Sequence, residues 1–165
     1  MKLQRPSSTL GGERASKAIY GIILISVTLI GLKAHDTDPM AIAVKIFVAA
    51  MAIVVAEVYS EILGESIRHQ KALNSEERRT IVYNAMAIAT VSLYPIIVFL
   101  LSRIGLYSVD TAFTIALTLN MLGLAAFGYY AIKSSGATKH QALVKGSILA
   151  GIGLIIVIAK FTVGH

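Results

Sequence analysis

Residues 40–64 read MAIAVKIFVAAMAIVVAEVYSEILG, an apolar run that is long enough to cross a bilayer as one helix. Three glutamates, Glu57, Glu61 and Glu65, lie near one end of it. Ionisable side chains at membrane depth are costly, so they face a protein interior, a partner or water rather than lipid. The run therefore predicts a membrane helix, and it places the candidate functional chemistry close to Glu57.

The composition of the chain is that of a membrane protein. Of its 165 residues, 56% are hydrophobic and only 15% are charged, whereas soluble domains are about 25% charged. The chain has no cysteine. Disulfides, thiolate metal sites and a cysteine nucleophile are therefore excluded.

Five apolar runs predict an all-α, polytopic membrane protein with five transmembrane helices in a single domain. The predicted spans are residues 18–32, 40–64, 81–102, 111–132 and 142–163. The first run is short for a span of about 17–25 residues, but Lys17 and Lys33 can extend it by snorkelling to the interface. Residues 1–17 are polar, and we expect them to form a flexible cytoplasmic tail.

Local signals predict where two helices begin. Asp38 precedes Pro39, which is the pattern of an N-cap followed by proline at the first helical position. This explains Asp38 without a metal site in the loop. Asn74 or Ser75 is expected to cap the third helix, and Pro95 is expected to kink it because proline cannot donate a backbone hydrogen bond.

The distribution of lysine and arginine predicts the orientation. The tail, the connector 65–80 and the loop 133–141 carry most of these residues, and the connectors on the other side carry only Lys33 and Arg103. By the positive-inside rule the N-terminus is cytoplasmic, and five spans place the C-terminus outside. We expect the cell membrane of a bacterium or an archaeon. Because orientation explains the net charge of +6 and no recognition motif is present, we do not expect nucleic-acid binding.

The best candidate site is the acidic end of the second span. Glu57, Glu61 and Glu65 are spaced by four residues, so they lie along one face of a helix. Carboxylates bind Fe²⁺ and Mn²⁺, so these glutamates are candidate metal ligands, and Glu57 is also a candidate proton carrier. The alternative is that Glu57 bonds to polar neighbours in the bundle or pairs across a dimer.

Three further side chains could support such a site: Asn84, Asn120 and Met51. Buried asparagines more often bond across helices than touch a substrate, and methionine is a common core filler. No Ser/His/Asp constellation, phosphate-binding loop or dinucleotide fingerprint is visible. We therefore expect neither an enzyme nor a bound cofactor.

Three stretches resemble the vacuolar iron transporter family. AEVYSEILGES at residues 56–66 is similar to the end of that family's second helix, and SLYPIIVFLL at residues 92–101 is similar to its third. Residues 127–165 resemble the end of the fourth helix, the basic loop and the glycine-rich fifth helix. The resemblance implies a five-helix fold, a homodimer and transport of Fe²⁺ or Mn²⁺.

The chain also departs from the family in three places, one of which is Ile53, where the family has a methionine one turn before its second-helix glutamate. Its first span, AIYGIILISVTLIGL, has no acidic residue where the family has one, and the connector 65–80 is too short for the family's glutamate-rich domain. The alternative function is therefore a membrane scaffold or accessory subunit that keeps the fold without metal chemistry. A channel or proton-leak protein is a third class.

Overall fold

A computed structural model describes residues 7–33 and 35–134, and beyond them five single residues, Thr138, His140, Val144, Ile148 and Gly151. The described part contains four α-helices, and no strand occurs in it. They are α1 (Ser7–Lys33), α2 (Pro39–His69), α3 (Ser75–Arg103) and α4 (Val109–Ser134).

All four helices are long and apolar enough to cross a membrane, which is the pattern of a multi-pass integral membrane protein. The prediction of an all-α protein built from apolar helices is confirmed for these four. The predicted fifth span, residues 142–163, falls almost entirely outside the described residues.

Helix α1 begins well before the apolar run that predicted it. It includes residues 7–17, which were expected to belong to a flexible tail. Ala15 and Ala18 are buried, and the guanidinium of Arg14 lies 4.2 Å from the ring centroid of Tyr83 on α3 and donates to its hydroxyl at 2.6 Å. The polar turns remain helical because these contacts hold them against the bundle, a cation–π contact among them.

Side chains define the starts of α2 and α3. Asp38 is the N-cap of α2 and accepts from the backbone N–H of Met40 at 3.0 Å, with Pro39 at the first position, as predicted. Asn74 caps α3 in a full capping box, in which Asn74 and Glu77 accept from each other's backbone N–H at 2.8 Å. These bonds satisfy N–H groups that a helix otherwise leaves unpaired.

The helices pack around α1 and α3. Helix α1 lies against α3 and α4, and α2 lies mainly against α3. The largest core cluster includes Phe99 and Phe113, whose rings meet edge to face at 4.8 Å between centroids. The contact between α1 and α2 is smaller, and open grooves lined by both helices remain there.

Glycine sets the distance between α1 and α3. A Cβ atom placed on Gly21 would lie 3.0 Å from a methyl group of Ile88 and 3.1 Å from its Cα. The two helices therefore approach closely only because residue 21 has no side chain, which is the usual role of small residues in membrane helix packing.

Candidate functional site

Lysine from α1 meets two glutamates of α2 at a partly buried contact between the two helices. The ammonium of Lys17 donates to Glu57 Oε1 and also lies 2.7 Å from Glu61 Oε2. The three side chains are only 17%, 22% and 17% exposed, in that order. We call Lys17, Glu57 and Glu61 the charged triad.

The register of two antiparallel helices creates the triad. Lys17 lies 19 residues before Asp36 in the first loop, and Glu57 lies 21 residues after it, so both reach the same height. Glu61 follows Glu57 by four residues and therefore lies one turn further along the same face. The ammonium of Lys17 can consequently form ion pairs with both carboxylates.

Open space reaches the triad from outside. A groove of about 650 Å³ is lined by Gly12, Glu13, Ser16, Lys17, Tyr20 and Glu57. A second groove, of about 400 Å³, is lined by Tyr20, Ala52, Ile53, Ala56, Glu57 and Ser60. Glu57 lines both, so its carboxylate is the acidic group of the triad most accessible to a ligand.

Glu65 does not belong to the triad. Its carboxylate pairs with Arg68 at 2.9 Å and with His69 at 3.1 Å, both on the last turns of α2. The spacing of three and four residues is the usual one for ion pairs along a helix surface. The structure thus brings together two of the three glutamates predicted to act as a metal site.

Asn120 and Met51, which were predicted to support a metal site, lie away from the charged triad. Asn120 is fully buried and donates from its amide nitrogen to Ser26 Oγ at 2.6 Å, which joins α4 to α1. Met51 is 38% exposed and precedes Glu57 by six residues, so it lies on another face of α2. Neither lies in the triad.

Asn84 of α3 is one of several buried side chains in the described residues that have a polar atom without a hydrogen-bond partner. Its side chain is only 1% exposed, and neither its amide nitrogen nor its amide oxygen has a hydrogen-bond partner among the described residues. A buried polar group left unpaired costs about 1–3 kcal/mol. Such a group in a folded protein needs an explanation, and an absent ligand, ion or water is one of the ordinary ones.

Two carboxylates are a partial ligand set for a cation. Across residues 7–33 and 35–134, no group of three His, Cys, Asp or Glu side chains is arranged to hold a metal ion. Glu57 and Glu61 supply oxygen donors, which suit hard divalent cations such as Mn²⁺, Mg²⁺ and Ca²⁺. In this structure their cation is the ammonium of Lys17.

Sequence reasoning missed Lys17, which it treated as an interfacial residue at the edge of the first span. The sequence does contain a signal for this contact. The separation along the chain from Asp36 in the first loop is 19 residues for Lys17 and 21 residues for Glu57. In an antiparallel pair, similar distances from the turn place side chains at the same height. The predicted alternative for Glu57, hydrogen bonds to uncharged polar neighbours in the bundle, did not include the lysine.

Comparisons with protein-family models, with curated proteins and with solved structures gave no match to this chain. The resemblance to the vacuolar iron transporter family rests on the sequence stretches alone.

Proposed function

We propose that this chain is a membrane transporter for a divalent metal ion, iron or manganese, in which Glu57 and Glu61 carry the ion past the acidic end of α2. The observation that supports it most is the charged triad. Two carboxylates of α2, a helix long and apolar enough to span a membrane, hold the ammonium of Lys17 next to an open groove of about 650 Å³. Intramembrane charges of this kind commonly mark ion pathways.

Proton coupling follows from the same chemistry. A carboxylate that releases its metal ion can take up a proton, because metal binding requires the deprotonated ligand. Metal moving one way and protons the other way would keep the carboxylates neutralised throughout a transport cycle. We include this coupling in the proposal.

The proposed assembly has five spans, a cytoplasmic N-terminus and two protomers in the cell membrane of a bacterium or an archaeon. The orientation rests on the lysine and arginine counts of the connectors. The dimer is supported by a stripe of small, exposed residues at spacing four on α2, namely Ala52, Ala56, Ser60 and Gly64. Such stripes allow another helix to approach closely.

A flux assay tests the function. The purified chain is reconstituted into vesicles that contain a metal-sensitive dye, and Fe²⁺ or Mn²⁺ is added outside. We expect uptake above that of empty vesicles, at least a tenfold loss with Glu57→Gln, and normal uptake with Glu76→Gln, an exposed residue on the first turn of α3. Absent uptake, or equal uptake with Glu57→Gln, rejects the proposed role.

One observation favours a second candidate, a membrane scaffold or accessory subunit. Lys17 already neutralises part of the charge on Glu57 and Glu61, so the triad can act as a structural ion pair. A scaffold of this kind gives no metal-dependent thermal shift of the purified protein. A shift that disappears in Glu57→Gln argues against it.

A further inference from the structure

The charge of the triad is not balanced. Glu57 and Glu61 together carry two negative charges, and Lys17 supplies one positive charge. One divalent cation in place of the ammonium would neutralise both carboxylates. The two carboxylates therefore attract a divalent ion more strongly than they attract one ammonium, because the charge–charge energy grows with the product of the charges.

Helix contacts place Asn84 at the height of the triad. Helices α1 and α3 run parallel, because Arg14 meets Tyr83 and Gly21 approaches Ile88. Lys17 therefore lies level with the turn of α3 that carries Asn84.

The contacts between α2 and α3 show that Glu57 and Glu61 are also at about the height of Asn84. Val54 packs with Ala85 and Ile88 in one cluster, to which Val58 also contributes. Because α2 runs antiparallel to α3, Glu57 and Glu61 lie at about the height of the turn that carries Asn84. A buried amide that has no partner in the described part of the chain thus lies level with two carboxylates that share one cation.

The neighbouring groove offers Lys17 a second position. Glu13 precedes Lys17 by four residues on α1 and lines the groove of about 650 Å³ with it. A glutamate four residues before a lysine is the favourable order for a helical ion pair. The ammonium can therefore leave Glu57 and Glu61 without losing an acidic neighbour.

We propose that Lys17 is a tethered cation that occupies a divalent-cation site formed by Glu57, Glu61 and the amide oxygen of Asn84. The external ion binds when the ammonium swings into the groove, and the ammonium returns when the ion leaves. Lys17 thus lowers the affinity of the site and promotes release. The role of Lys17 in releasing a transported ion rests on the proposed function. The competition between its ammonium and a divalent ion for Glu57 and Glu61 does not depend on transport.

The ligand chemistry defines the class of ion. Two carboxylates and an amide oxygen form an all-oxygen donor set, which suits Mn²⁺, Mg²⁺ and Ca²⁺ better than soft metals. A monovalent cation gains no charge advantage over the ammonium that it would replace. The site is therefore expected to prefer divalent ions.

The test measures Mn²⁺ binding to the full chain in detergent by electron paramagnetic resonance. We expect Lys17→Gln to bind Mn²⁺ at least tenfold more tightly than the wild type, because the competing ammonium is gone. Adding Asn84→Leu or Glu57→Gln to that variant should weaken binding at least tenfold. Lys71→Gln, which removes an exposed lysine, should leave the affinity unchanged.

A second variant keeps the test decisive if Lys17→Gln does not fold. Lys17→Arg retains the charge and adds a planar fork that can hold a carboxylate bidentately, so we expect weaker Mn²⁺ binding than in the wild type. Unchanged affinity in the variant that folds overturns the inference. Tighter binding that does not depend on Glu57 also overturns it.

The outcomes separate this inference from the proposed function. If the wild type shows no metal flux but Lys17→Gln binds Mn²⁺ through Glu57, the competition is real and the transport proposal fails. If flux depends on Glu57 but the Lys17 variants bind Mn²⁺ with wild-type affinity, transport stands and the tethered cation is wrong.

Discussion

Lys17 connects two helices through one ammonium group. Its Nζ atom is shared between carboxylates on successive turns of α2, and all three side chains are mostly withdrawn from water. Removing one member of such a cluster leaves the others as uncompensated charges, which costs more than the net contribution of the pair. Glu65 has its own basic neighbours in Arg68 and His69, so it depends less on Lys17.

Stability measurements test this dependence. We expect Lys17→Gln to lower the free energy of unfolding by about 2 kcal/mol, since two neighbouring carboxylates then repel each other. Adding Glu61→Gln should recover part of the loss, because only one charge remains. Thermal unfolding of the three proteins in one detergent measures both effects.

Lys71→Gln is the matched control for that experiment. Lys71 lies 3.8 Å from Glu77, and its side chain is 59% exposed, so its loss should cost no more than about 0.5 kcal/mol. Equal stabilities for Lys17→Gln and Lys71→Gln would mean that the triad contributes nothing to the fold.

The ends of the helices follow from local signals, whereas their pairing does not. Asp38 was predicted to cap α2, and Asn74 or Ser75 to cap α3. Asp38 and Asn74 are the caps, and local sequence is informative here because a cap bonds to backbone only a few residues away. The contact of Lys17 with Glu57 joins residues 40 positions apart. It depends on which helices lie side by side, and hydropathy does not specify that.

Gly21 provides a test of the helix arrangement. We expect Gly21→Ala to destabilise the protein by about 1–3 kcal/mol, because the new methyl group would press on Ile88, including its backbone. Gly31→Ala is the control on the same helix, since nothing lies within 4 Å of a Cβ there. Alanine at residue 31 should be neutral or slightly stabilising. Equal unfolding temperatures for the two variants would contradict the packing of α1 on α3.

The four described helices form a bundle that exposes many large apolar side chains. Large exposed side chains include Phe47, Val48, Val55 and Tyr59 on α2, and lipid is the medium in which such a surface is stable. The runs of hydrophobic residues were sufficient to predict four of the helices. They were not sufficient to predict that Asn84 would lie buried without a partner among the described residues, because burial of one polar group depends on the packing of three helices.

The absence of cysteine allows a direct test of membrane topology. Single cysteines are introduced at three exposed loop residues, Thr37, Lys71 and Leu106. We expect a membrane-impermeant thiol reagent to label residues 37 and 106 from outside intact cells. Residue 71 should be labelled only in inside-out vesicles, because connectors alternate between the two faces. Labelling of all three from one side would contradict a multi-pass arrangement.

Anomalous X-ray scattering from crystals of the full chain soaked in Mn²⁺ shows directly whether Glu57 and Glu61 form a cation site. We predict an anomalous peak within bonding distance of both carboxylates and of the Asn84 amide oxygen, with the Lys17 ammonium moved into the groove. Crystals with Mn²⁺ bound elsewhere, and with Lys17 still seated on Glu57 and Glu61 at saturating metal, would contradict the account.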